Sequence, residues 1–237
     1  DRVCFHVIKY MKKILLSIAI FLLLSFKSFG HVEHYASFNY LEYELFRNNK
    51  LIGYHKYNFN RKGDDLSITS EVSFNITKLG VDLYKYFAKS EENYNKGIFK
   101  SYASKTKQNK KDRYVNIILD QGGENLLIDG SSYKGEANKD FIVGTWWNHE
   151  IVKAKAQISG ISGRIIEQTV TFIGKEEIKI GNKMYKTLHF NFKSSDETLP
   201  ESKKLDTDIW YEEGTFLWVK AAFDKTGYWE YRIKTVN

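Results

Sequence analysis

Residues 66–75 alternate without a slip, with Leu66, Ile68, Ser70, Val72 and Phe74 on one phase and Ser67, Thr69, Glu71, Ser73 and Asn75 on the other. Successive side chains of an extended chain point to opposite faces, so a period of two marks a strand with one face in a core and one in water. The register sends Val72 and Phe74 inward and Ser73 outward. A helix would scatter the same apolar groups around its axis, which excludes helical folds for this stretch.

The pattern repeats along most of the chain. Leu41, Tyr43 and Leu45 alternate with Glu42 and Glu44, Asn48-Asn49 supplies a turn, and residues 51–60 return, a hairpin signal. Further runs over 82–94, 98–107 and 113–119 are separated by Asn95-Lys96-Gly97 and by a polar cluster over 108–111. Gln121-Gly122-Gly123 and Asp129-Gly130 mark the next reversals. Beyond Gly163, strands are expected at 164–173, 176–180, 184–192, 205–211, 216–224 and 228–236, divided at Gly174, Gly181-Asn182, Glu213-Gly214 and Lys225-Thr226-Gly227. About eleven or twelve short strands at even spacing predict an all-β, mainly antiparallel meander, curled into a barrel or half-barrel to limit its exposed edges. The pattern breaks over 138–156, where Ile151, Val152 and Ala156 are spaced for one short helix or lid segment. Pro200 is the one proline, so no Pro-rich linker divides the chain.

Residues 11–30 have a different character. Lys12 and Lys13 precede an apolar run over 14–26, and small Ser28 and Gly30 follow where a signal peptidase reads them. The run is shorter than the roughly 20 residues that cross a bilayer core. The expectation is a cleaved secretory signal, with residues 1–10 an upstream extension and 31–237 a single domain, periplasmic and not membrane-spanning after cleavage. The net charge of +7 falls to +3 when residues 1–30 leave with five basic residues and one acidic one. The basic balance therefore belongs largely to the leader, and no nucleic-acid partner is expected. Cys4 leaves too, so the remaining chain has no thiol for a disulfide or an N-terminal lipid.

Signals for chemistry are sparse. His31 and His34 near the new N-terminus have the donors for copper, but a loose polar tail explains them better, and no metal or other cofactor is expected. Asp206 and Asp208 share one strand face about 6–7 Å apart, a spacing that suits glycoside hydrolysis. Glu42 and Glu44 repeat that spacing on a solvent face, so an exposed stripe is the better account. There is no phosphate loop, G-x-S-x-G elbow, H-E-x-x-H or C-x-x-C. His55, His149 and His189 read as surface or core histidines, and no enzyme is expected. Lys107, Lys110, Lys111 and Arg113 read as a solvated loop tip, with contact to anionic headgroups the lesser reading. Trp146, Trp147 and Asn148 sit in the strand break. Either one indole plugs the barrel end while Asn148 caps a helix from His149, or the segment rims a ligand pocket.

One resemblance runs along almost the whole chain after the leader. It is carried by Gly53-Tyr54, Tyr84-x-Tyr86, Ser90-Glu91-Glu92-x-Tyr94-x-x-Gly97, Ser101-x-x-Ser104-x-Thr106, Thr145-x-Trp147-Asn148, Gly181 and Asp208-x-Trp210-Tyr211. These resemble the domain-of-unknown-function families of secreted Gram-negative proteins. The likeness implies a curved antiparallel half-barrel, distantly similar to the periplasmic lipoprotein carriers, and no established activity. Tyr84, Tyr86 and Trp210 thereby join Trp146, Trp147 and Asn148 as candidate ligand contacts. The leading reading is a periplasmic β-barrel holding a lipid or other apolar or amphipathic small molecule. Its rivals are an envelope protein-protein interaction module with a filled core and a hydrolase of unknown type.

Overall fold

In a computed structural model, residues 35–237 are described, and they form one curved sheet. The leader, its cleavage site, His31 and His34 lie outside the described residues. The strands are β1 (Tyr40–Arg47), β2 (Lys50–Lys62), β3 (Asp65–Lys78), β4 (Val81–Asn95), β5 (Ile98–Gln108), β6 (Lys111–Leu119), β7 (Asn125–Gly130) and β8 (Lys134–Asn138), then β9 (Ile142–Val143), β10 (Ala156–Ile158), β11 (Ile165–Ile180), β12 (Lys183–Ser194), β13 (Asp206–Glu212), β14 (Trp218–Asp224) and β15 (Tyr228–Val236). Their order across the sheet is 8-7-6-5-4-3-2-1-15-14-13-12-11-10-9. Every neighbouring pair is antiparallel except β9 with β10.

This is the expected meander with one long-range join. β1 pairs with β15, and the backbone of Asn237 exchanges hydrogen bonds with Tyr40, so the first and last strands of the described residues meet at the middle of the sheet. Two wings spread from this seam, β2 to β8 on one side and β14 to β9 on the other. No ladder joins β8 to β9, so the sheet curls without closing.

Turn chemistry sets the registers. Asn48 and Asn49 both have positive φ, as do Lys96 and Gly97, the twist that two-residue hairpin turns require. The inward phase of β3 is as expected, with Leu66, Ile68 and Val72 buried. Phe74 is half-buried, its ring stacked 4.7 Å from that of Tyr86.

Two expectations need correction. Gly174 does not divide two strands: β11 runs unbroken, and a bulge between Phe172 and Gly174 absorbs the extra residue against His189. A glycine inside a strand signals a bulge as readily as a turn. The break over 138–156 holds the expected short helix, a 3-10 helix (His149–Lys153), but it also contains strand β9, strand β10 begins at its end, and the described residues hold fifteen strands rather than eleven or twelve.

That segment crosses the hollow. Trp147 is fully buried, edge-on to Tyr35, Phe59 and Tyr94 at 5.4, 5.5 and 5.8 Å. Residues 159–163 then pass close over β7, for a Cβ on Gly130 would lie 2.4 Å from the Ser162 carbonyl oxygen. Tyr102 and Ser104 of β5 both donate to the Gly160 carbonyl. The hollow is thus part-filled by the chain's own middle. His31–Asn237 is a compact unit by itself.

Candidate ligand-binding cavity

The crossing segment is held from both wings. Tyr57 of β2 donates to the Thr145 carbonyl at 2.7 Å, and Tyr211 of β13 donates to the Trp146 carbonyl at 2.9 Å. Between them the Trp147 N–H bonds back to the Thr145 carbonyl at 2.7 Å, which makes a three-residue turn with Trp146 at its centre. Trp146 has φ of 58°, a left-handed conformation that bulky residues rarely adopt. The surrounding hydroxyls offset that strain, which is of order 1–3 kcal/mol. Its consequence is directional, because Trp146 and Trp147 are sent to different places.

Trp147 goes into the core, where its indole N–H donates to Glu92 at 3.0 Å. Glu92 also accepts from Tyr94 and, more weakly, from Thr145. Burial without a cation pushes the Glu92 carboxyl up to about 7, and the three donors only temper the shift. Asn148 accepts from the Glu150 N–H, the expected cap, while its own amide lies 3.4 Å from the Tyr94 hydroxyl. This half of the segment is a plug.

Trp146 instead lines a cavity of about 300 Å³ on the concave side. Its indole meets Trp218 and Tyr231 edge-on at 5.4 and 5.5 Å. His55, Tyr86, Tyr102 and Thr106 stand on the β2 to β5 side of the same space. His55 stacks on Tyr57 at 4.2 Å, and its Nε2 is 3.0 Å from the Ser70 hydroxyl. Desolvation pushes the imidazole down to about 3, so it is neutral near pH 7 and keeps one donor and one acceptor. Burial pushes the Tyr102 hydroxyl up to about 12, and it too stays neutral. Lys89 is the one ionised side chain on the lining, and it pairs with Glu71 at 3.2 Å.

Three buried polar atoms on this lining, His55 Nδ1, Thr106 Oγ1 and Trp146 Nε1, have no hydrogen-bond partner in the protein. Buried polar groups are nearly always hydrogen-bonded, and leaving one unmatched costs about 1–3 kcal/mol. Trp218 Nε1 is likewise unmatched but lies off the cavity lining. A larger depression of about 490 Å³, over Thr69, Glu71, Glu91 and Lys105, contains no such atom on its lining.

Of the candidate contacts drawn from sequence, Trp146 and Tyr86 meet on the cavity wall, and Trp147, Asn148, Tyr84 and Trp210 do not line it. Tyr84 stacks on Phe74 at 5.9 Å beside the lining residue Tyr86. Trp210 faces the other way, stacked on His189 at 4.2 Å under Lys220, with its N–H on Glu176. His55, Tyr102 and Tyr231 are lining residues that the sequence did not mark as ligand contacts. The one signal for them is a run of aromatic rings on the inward phase of their strands. Asp208 pairs with His189 and Asn191, inside a polar cluster on that outer face.

The model of a domain of unknown function, DUF6134, matches residues 43–234. The chain belongs to the DUF6134 family. Every cavity-lining residue lies inside the matched span, so the hollow is a feature of the DUF6134 domain itself. A β-barrel-like protein of another domain of unknown function, DUF1849, from Brucella abortus is similar in fold, with a TM-score of 0.58 at 10% identity over 84% of this chain and 96% of its own. A DUF1329 family protein from Desulfovibrio piger matches with a TM-score of 0.25 at 9% identity over 87% of this chain and 89% of its own. No curated protein matches the chain. The expected barrel-like fold of a domain-of-unknown-function family therefore stands. Among the described residues, no helix is long and apolar enough to cross a membrane.

Proposed function

We propose that this DUF6134 protein is a periplasmic binding protein whose concave cavity holds a small neutral amphipathic molecule, exported by the leader expected at residues 11–30. The observation that carries the reading is the set of three unmatched buried atoms, His55 Nδ1, Thr106 Oγ1 and Trp146 Nε1, on the wall of one cavity. An indole N–H needs an acceptor, and a neutral imidazole nitrogen takes a donor or an acceptor according to its tautomer. A ligand hydroxyl supplies both roles, and a ligand carbonyl accepts from the indole and from an Nδ1–H tautomer of the imidazole. Val72, Ala88, Ile161, Ile166 and Phe223 line the rest of the space and suit an apolar body. With Lys89 already paired, a charged ligand would find no free counter-ion on the lining. The volume is at the small end for ligand pockets, which suits a compact molecule or one end of a longer chain.

The interaction-module reading has less support, because the edge strand β8 spans only Lys134–Asn138 and carries Lys134 and Glu136. Short charged edges discourage strand addition. Titration with laurdan, a neutral probe with a ketone acceptor and an apolar tail, tests the binding reading. Saturable binding to the unmodified protein is expected, and Trp146→Phe, which keeps an aromatic ring but removes the N–H, should weaken it about tenfold. A probe that ignores the protein, or binds both forms equally, would sink the proposal.

A further inference from the structure

The β3–β4 hairpin outruns the rest of the sheet. Its strands stay paired from Asp65 with Asn95 out to Lys78 with Val81, but the β2 ladder stops at Phe74 and the β5 ladder begins only at Tyr86. Residues 75–85 therefore project as a two-stranded ribbon without a ladder neighbour on either side. Its end is apolar. Leu79 is 95% exposed, and Val81 and Leu83 are each more than half exposed. Leu79 also sits at φ of 52° before Gly80, a turn position that favours Asn or Gly over a branched apolar side chain. Leucine there is unfavourable for the backbone and adds nothing to the core.

A basic collar stands behind this tip. The β5–β6 turn is tied to the ribbon by two hydrogen bonds between Asn109 and the backbone of Lys85, at 2.7 and 2.8 Å. That turn carries Lys107, Lys110, Lys111 and Arg113, and the ribbon adds Lys78 and Lys85. Of these six cations only Lys85 is in an ion pair, with Asp82. Asp82 and Asp112 are the only acids on the two turns.

We propose that this end of the molecule docks on an anionic lipid bilayer, with Leu79, Val81 and Leu83 entering the interface and the unpaired cations of the collar against the headgroups. The charge complementarity selects the partner. Each cation held near an anionic surface strengthens binding roughly fivefold, and apolar insertion is the second of the two signals that stable peripheral attachment needs. A protein partner would need a far broader contact than a ribbon tip offers, since stable interfaces bury about 800 Å² per side.

The experiment uses residues 31–237, a compact unit without Cys4, so Val81→Cys gives a single site for an environment-sensitive NBD label. Co-sedimentation is measured with vesicles of phosphatidylcholine alone and mixed equally with phosphatidylglycerol. The labelled protein should bind only the anionic vesicles, more weakly as salt rises, and the label should brighten on binding. The double variants Leu79→Ser with Leu83→Ser, and Lys110→Glu with Lys111→Glu, should each weaken binding by about tenfold or more. Ile98→Ser, at an exposed residue beside the opposite-end β4–β5 turn, should change nothing. The changed side chains are exposed, and unaltered melting curves would establish that the variants are folded. No binding to anionic vesicles, binding that survives both double variants, a label that stays dim on bound protein, or a tip buried instead in a dimer of the chain would each overturn the proposal.

Discussion

Glu92 holds the plug with a carboxylate that has no counter-ion, only the Trp147, Tyr94 and Thr145 donors. Its folded pKa of about 7 stands above the ordinary 4.5, so the folded state binds the proton more tightly than the unfolded chain does. Its contribution to stability therefore falls as pH rises from 4.5 to about 7 and is constant above that, a change on the order of 3 kcal/mol. Glu92→Gln keeps an oxygen acceptor and removes the titration. Denaturant unfolding across this range should show the variant gaining on the unmodified protein as pH rises, and parallel curves would refute the assignment. The sequence showed two indoles at a strand break and Asn148 as a cap. It did not show which indole enters the cavity, because extended geometry only sends neighbours to opposite sides. The left-handed turn at Trp146 depends on hydroxyls from Tyr57 and Tyr211, residues far from it along the chain.

Strands β2 and β3 are pressed together at Gly53, where a Cβ would lie 2.0 Å from the Ser73 carbonyl oxygen and 2.5 Å from Phe74 Cβ. Backbone cannot yield as a flexible side chain can. Gly53→Ala should cost at least about 2 kcal/mol, read as a shift of the urea midpoint, and a loss within about 0.5 kcal/mol would contradict the close approach. Strands with clean alternation, β1 and β3 above all, were legible because a buried face imposes its own period. The bulge at Gly174 was not, since a lone glycine between apolar runs reads equally as a turn. Strands as short as β9 and β10 carry too few residues to show any period, and the parallel pairing that places them comes from tertiary contact.

At the scale of the molecule the most protected region should be the seam. Leu41, Tyr43 and Leu45 are wholly buried, and β1 has a strand on either side. Amide exchange by mass spectrometry should find the slowest amides in β1, β2, β14 and β15 and the fastest in β8 and the ribbon of residues 75–85. Uniform exchange across the sheet would refute that gradient. The meander was legible from turn spacing, but the pairing of β1 with β15 was not, because no local signal ties residues so far apart. That pairing also dictates an order of assembly during synthesis. The wing from β1 to β8 is made of consecutive hairpins, each able to zip as it emerges from the ribosome. β1 nevertheless keeps one side bare until residues 228–236, made long after it, arrive to cover it. A nascent chain of this topology stays a half-finished sheet with an open edge until β15 has emerged. Closure of the seam, rather than hairpin formation, is then the slow step and the interval of greatest exposure to aggregation.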